Sequence, residues 1–239
     1  MNRALVLLAV AVASPTFAAK LTVKNKVWKE DFKDYASVGG NTPVFEGNSP
    51  MAKFVNAAVD SFTKKSWKSV RDMAAEEMPA LKKGGFGNKY GQWFMYDMYT
   101  ATTELVSFNL EESPYYGGAH PGLARTGMNF YADGKTVKAF GLKDLFSASN
   151  LESLVTTVNS MALKSDQAEF MQEGFTGQIE ADQMKDFAID KKGFHFLFEP
   201  YELGSWAAGP ITITVPMNEV APLLNSSWRR RIEAATRQN

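Results

Sequence analysis

Apolar residues return at three- and four-residue steps through Met51, Val55, Ala58, Phe62, Val70 and Met73, with Phe54, Val59 and Trp67 flanking the stripe. That period is helical. Ser49 suits the N-cap and Pro50 the first helical position. Met78-Pro79 is read as the stop, after about Glu77, because a proline lacks the N–H the helix needs. The other face carries Lys53, Asp60, Lys64, Lys65, Lys68 and Arg71 and reads as solvated. A second helix opens at Asn150 and keeps Leu151, Leu154, Val155, Val158, Met161 and Ala162 in register.

Elsewhere the period is two. Val23 to Tyr35 reads as an exposed or edge strand, and Val38 to Pro43 as turn chemistry. Gln92 to Ala101 and Glu104 to Glu111 read as antiparallel strands with one buried face. In the second of these, Val106, Phe108 and Leu110 alternate with Leu105, Ser107, Asn109 and Glu111. Leu123 to Tyr131 and Thr136 to Phe140 flank an Asp133-Gly134 turn. Residues 165–182 are polar and read as irregular or a short helix. Phe187 to Ile189 and Phe194 to Phe198 form a hairpin, with Phe194, Phe196 and Phe198 facing one way and His195 and Leu197 the other. Ile211 to Pro216 is a strand, and Met217 to Leu224 a short helix. Hairpins with helices but no β-α-β alternation predict an α+β fold: a mainly antiparallel sheet, two principal helices and a short C-terminal helix.

Composition narrows the function. The 239 residues are 45% hydrophobic and 13% aromatic, enough for a packed core. Formal net charge is zero, so there is no electrostatic case for nucleic acid, which needs clustered positive charge. The chain has no cysteine, hence no disulfide, thiolate metal site or Cys nucleophile. The first residues read as a signal peptide, 1–18: a basic start at Asn2-Arg3, an apolar run from Ala4 to Ala13, and a cut near Ala18 after Thr16-Phe17. Ten apolar residues are too few for the roughly 20 that a bilayer needs, and no other stretch reads as a span. The expected location is periplasmic or secreted.

Candidate chemistry gathers in two loops. Pro114 to Gly122 packs tyrosines, glycines and prolines around one of the two histidines, His120. Glu199 to Gly209 holds Tyr201, Glu202 and Trp206. Aromatics on Gly-rich loops suit binding, because they supply contact area at small entropic cost. The residues expected to bind are therefore Tyr115, Tyr116, Gly117, Gly118, His120, Tyr201, Glu202 and Trp206. No H-x-x-x-H or G-x-S-x-G spacing occurs, so neither a metal nor a catalytic residue is assigned, and no cofactor is expected. The competing reading is a cell-envelope hydrolase or deacetylase that uses His120 with a carboxylate such as Glu202. His195 reads as a residue packed on its strand's face. Trp228 and the arginines after it read as a charged, frayed tail, 226–239.

Four motifs in order carry a resemblance. Tyr116 to Gly122, Phe130 to Lys135 followed by Leu142 to Phe146, Phe196 to Gly209, and Ile213 to Leu224 together resemble the extracytoplasmic domain shared by the anti-sigma factor RsiV and the peptidoglycan deacetylase PdaC. Val44 to Leu110 is similar, more weakly, to the domain that usually precedes it. The resemblance implies an α+β fold outside the cytoplasmic membrane. In RsiV this region binds lysozyme, and in PdaC it accompanies a separate deacetylase domain whose Asp/His metal motifs this chain lacks. The sequence departs from the family pattern at Pro121 and Trp206. What it implies is an N-terminal part at 19–112, an RsiV-like domain at 113–225, and a non-catalytic binding module for a lysozyme-like protein or a peptidoglycan-related ligand.

Overall fold

A computed structural model describes residues 18–85, 87–166, 168–171 and 178–237. The expected signal peptide, apart from Ala18, lies outside the described residues. Six strands form one sheet in chain order: β1 (Val23–Phe32), β2 (Ala36–Phe45), β3 (Tyr90–Ala101), β4 (Leu105–Tyr115), β5 (Ala124–Asp133) and β6 (Thr136–Ala139). Its pairings are antiparallel except β2 with β3, where the helix α1 (Pro50–Lys83) carries the chain back across the sheet. A second sheet holds β7 (Phe187–Ile189), β8 (Gly193–Phe198) and β9 (Ile211–Pro216), all antiparallel. Helices α2 (Leu142–Leu145), α3 (Ala148–Ala162), α4 (Met217–Val220) and α5 (Ser226–Thr236) complete the α+β fold that the periodicity predicts.

Helix α1 starts as its cap dictates, with the Ser49 hydroxyl accepting from Ala52 N at 3.1 Å. Its buried stripe runs Met51, Val55, Val59, Thr63, Trp67, Val70, Ala74 and Met78, rotated from the sequence pattern so that Phe54 is exposed. Thr63 enters the stripe because its hydroxyl donates to Val59 O at 3.0 Å within the helix. The helix does not stop at Glu77. It passes through Pro79 to Lys83, held past the proline by Met78, which is wholly buried against the cluster around Phe94 and Tyr90.

Residues 38–43 are not a turn but the middle of β2. Their glycines serve close approach. A Cβ on Gly40 would stand 2.1 Å from Phe94 O, and one on Gly39 would stand 2.6 Å from Trp28 O. Strand β4 also departs from expectation, since both of its faces are buried. Val106, Phe108 and Leu110 pack with α1, while Leu105, Ser107 and Asn109 face the second sheet.

That second contact is polar at its centre. β7 is an edge strand, and an edge leaves backbone groups unpaired. Here side chains of the large sheet pair them. Thr100 Oγ1 donates to Ile189 O at 2.7 Å, and Ile189 N donates to Ser107 Oγ at 2.7 Å. Ser107 in turn donates to Asn129 Oδ1 at 2.6 Å, and Asn129 Nδ2 donates to Phe187 O at 2.8 Å. Around this row pack the phenylalanines of β7 and β8 with α3, α4 and α5.

The segment expected to fray is helix α5. Ile232 and Ala235 are fully buried, and Trp228 packs its ring 4.7 Å from Tyr131 and 4.8 Å from Phe140. Arg231 lays its guanidinium 4.8 Å from the Tyr131 ring and donates to Ala132 O. The arginines conceal an amphipathic face that only the sheet reveals. The division expected between residues 112 and 113 falls inside β4, which pairs with β3 and β5 on either side of it.

Candidate functional site

The loop after β4 and the loop after β8 lie at one end of the molecule and meet there. Gly122 N donates to Pro114 O at 2.6 Å and closes the first loop at its base. Gly117 takes φ 82°, which a glycine adopts freely. In the second loop Tyr201 holds φ 76°, a strained value for a bulky residue. It is fixed by Tyr201 N donating to Gly204 O at 2.9 Å and by Glu202, whose Oε2 accepts from Glu199 N at 2.7 Å. Glu199 Oε1 accepts from Arg125 N at 3.2 Å and anchors the loop to β5. Buried Arg125 then reaches back, donating from Nη1 to Thr212 Oγ1 at 2.9 Å and to Ile211 O at 3.2 Å.

The two loops join through rings. His120 stacks on Trp206, with centroids 4.2 Å apart and planes 19° from parallel, and Tyr201 stands 6.0 Å from Trp206. Tyr201, Gly117, Gly118 and His120 are exposed, and Trp206 is half-buried. The other two tyrosines go elsewhere. Alternation along β4 turns Tyr115 and Tyr116 to opposite sides. Tyr115 accepts from Asn88 Nδ2 at 3.3 Å and borders a groove of about 330 Å³ with Ser37, Gly91, Trp93, Ser113 and Pro121. Tyr116 stands edge-on to Tyr90 at 5.5 Å. The eight expected residues thus share one end of the molecule but form three neighbourhoods there.

His120 and Glu202 each bond within their own loops. His120 Nδ1 lies 2.9 Å from its own loop's Pro121 O, and its ring is taken up by Trp206. Glu202 bonds to Glu199 N within its own loop, so the His120–carboxylate pair that a hydrolase needs is not among the contacts of either residue. Burial raises the Glu202 carboxyl above its ordinary range. Glu112, which accepts from Gln92 Nε2 at 3.0 Å, is likewise raised by burial, partly offset by a hydrogen bond to Ser66 and reinforced by the charge of Glu199. Among the described residues no three His, Asp or Glu side chains converge as a metal site would require. His195 is tied down within the small sheet: Nε2 faces Asp190 Oδ1 at 2.9 Å and Nδ1 faces Thr214 Oγ1 at 2.9 Å.

Two exposed side chains escaped the reading of the sequence. Trp93 and Met95 stand on the open half of the large sheet's face, beside the part that the second sheet covers. The clue was there, since Trp93 and Met95 alternate with buried Phe94, and Gly39 lies opposite Trp93 in the pairing register. A Cβ on Gly39 would stand 2.8 Å from the Trp93 ring.

Comparison with known proteins gives two family matches in sequence order. Residues 29–122 match the family described as Deacetylase PdaC, and residues 143–218 match a protein family of unknown function, DUF3298. The Tyr116–Gly122 loop closes the first matched stretch, and the Tyr201–Gly209 loop lies in the second. A DUF3298-family crystal structure from Bacteroides fragilis aligns with TM-score 0.60 at 18% identity, covering 91% of this chain and 99% of that one. A DUF3298-family structure from Pseudomonas aeruginosa aligns with TM-score 0.60 at 11% identity, covering 86% and 95%. At these identities the likeness concerns the fold. No curated protein matches the chain.

Proposed function

We propose that the chain, which carries both family matches in one sequence, is an extracytoplasmic, non-catalytic binding module. It docks its aromatic loop end on a lysozyme-like protein, the partner that the RsiV resemblance implies, or on a peptidoglycan-related ligand. A signal peptide cut near Ala18 delivers it outside the cytoplasmic membrane, and no helix among the described residues is long and apolar enough to span one.

The observation that carries this reading is the His120–Trp206 stack. It locks two loops from different strands into one surface and leaves Tyr201 and the Gly117-Gly118 backbone exposed around it. Preorganised aromatics of this kind lose little entropy on binding and act as anchors at interface centres. The hydrogen bonds of Glu199 and Glu202 support the second loop from beneath.

The test is a titration of residues 19–239 with a c-type lysozyme, by calorimetry and by inhibition of cell lysis, with soluble peptidoglycan fragments as a parallel arm. Submicromolar binding to one of them is expected. Trp206→Ala should weaken it by at least about tenfold, the loss of one interface anchor. Absence of binding in both arms would defeat the proposal. Turnover of peptidoglycan that disappears in His120→Ala would replace it with the enzyme reading.

A further inference from the structure

Tyr116 and Gly117, with the last turn of α1 and the start of β3, border a cavity of about 690 Å³. Its lining includes Glu77, Leu81, Asn88 and Tyr90. Glu77 is the one charged side chain among the described lining residues. Its Oε2 accepts from the Tyr90 hydroxyl, and Oε1 takes no hydrogen bond from the described residues. Tyr90 is buried behind it, while Tyr116, 45% exposed, forms the outer wall. The C-terminal end of a 34-residue helix closes one side, with Ala80 and Leu81 in the lining.

These features share a sign. A helix C-terminus presents roughly half a negative charge through its last carbonyls. A tyrosine ring offers a negative face. The Glu77 carboxylate adds a full charge, and its hydrogen bond is the main reason that the Tyr90 hydroxyl is pushed up to about 12. The nearby lysines are outside its lining: Lys82 reaches Asp34 and the Tyr35 ring, Lys89 pairs with Asp31 at 2.6 Å, and Lys83, the other basic residue of the last helical turn, does not border it either.

We propose that this cavity receives a primary ammonium on a flexible aliphatic chain, a lysine side chain of the protein partner, with Glu77 as its counter-ion and Tyr116 as a cation–π wall. The site rests on the binding reading above for its occupant, and on the sign and shape of the cavity for its chemistry. It places a charge-selecting contact beside the aromatic surface, on the far side of Tyr116. Charged pairs of this sort select partners and set register.

The probe is cadaverine, titrated into residues 19–239 and followed by amide NMR, with glutarate as an anionic control of equal carbon number. Saturable cadaverine shifts at Asn88 and Gly117 are expected, and none with glutarate. Glu77→Gln keeps an acceptor for the Tyr90 hydroxyl, so its melting temperature should hold while its cadaverine Kd rises by about fivefold or more, as loss of a partly desolvated ion pair predicts. Tyr116→Leu keeps the bulk of the wall and should also weaken binding. Equal shifts with glutarate, or a Glu77→Gln Kd within twofold of the parent, would overturn the site. Running the lysozyme titration on the same variants separates the two readings. Cadaverine binding without lysozyme binding sinks the partner and keeps the ammonium site. Lysozyme binding that Glu77→Gln leaves untouched sinks the ammonium site and keeps the partner.

Discussion

Gly127 has no room for a side chain: a Cβ there would stand 2.4 Å from the backbone nitrogen and oxygen of Phe187. Its own N–H donates to Asp186 Oδ1 at 3.0 Å, so a carboxylate sits in the seam between the sheets. Burial is the main influence on Asp186 and raises its carboxyl above the ordinary 3.8, partly offset by the Gly127 hydrogen bond. A group raised in the folded state contributes stability below its unfolded value and loses it as pH climbs through the folded one. Asp186→Asn keeps the acceptor and removes the charge. The melting temperature of Asp186→Asn minus that of the parent should therefore grow between pH 4 and pH 7, and scanning calorimetry at the two pH values checks it. A difference that shrinks over that range would mean that the carboxylate is stabilised as an anion. Nothing in the sequence marks Asp186 among the other carboxylates. Its role comes from Gly127, which β5 brings up from 59 residues away.

At the level of elements, the sequence is legible where one residue type has one physical use. Ser49 and Pro50 start α1, Asp133-Gly134 turns between β5 and β6, and the β-branched run Ile211 to Val215 is a strand. It misleads where a residue has two uses. Gly39 and Gly40 permit a turn and equally permit two strands to close on Trp28 and Phe94. Pro79 ends a helix unless packing of Met78 outweighs the missing hydrogen bond. The arginines around α5 look like a solvated tail until Tyr131 and Phe140 receive Trp228. That packing makes a firm prediction. Ile232→Ala should destabilise the protein by about 2–4 kcal/mol, the usual result of emptying a fully buried aliphatic site. Urea denaturation reads it, and a loss below about 0.5 kcal/mol would mean that α5 frays as a surface substitution would allow.

For the molecule as a whole, the two sheets are joined by a row of side chains whose partners lie on both. Thr100, Ser107 and Asn129 belong to the large sheet, and the backbone groups that they satisfy belong to β7. Asn129→Ala removes the donor to Phe187 O and the acceptor of the Ser107 hydroxyl proton, while Ser107 Oγ still accepts from Ile189 N; each buried group so stranded costs about 1–3 kcal/mol. If the sheets fold as one unit, the urea transition stays single with an unchanged slope and moves to a lower midpoint. Two separated transitions would show instead that the halves fold independently.

The sequence by itself determined the class of the fold, the start of α1 and the two aromatic loops, because periodicity, caps and turn residues act over a few neighbours; α3 instead starts at Ala148, two residues before the expected Asn150, with Ser147 as its cap. The sequence motifs also pointed to the family. Tertiary structure alone decided that His120 stacks on Trp206 while Tyr115 and Tyr116 part to opposite sides, that Ser107 and Asn129 are buried joints rather than a wet face, and that Glu77 meets Tyr116 at a shared cavity. Those are contacts between residues tens of positions apart. Their occurrence depends on which faces the second sheet and α1 cover, and no local pattern of apolar and polar residues encodes which face will be covered.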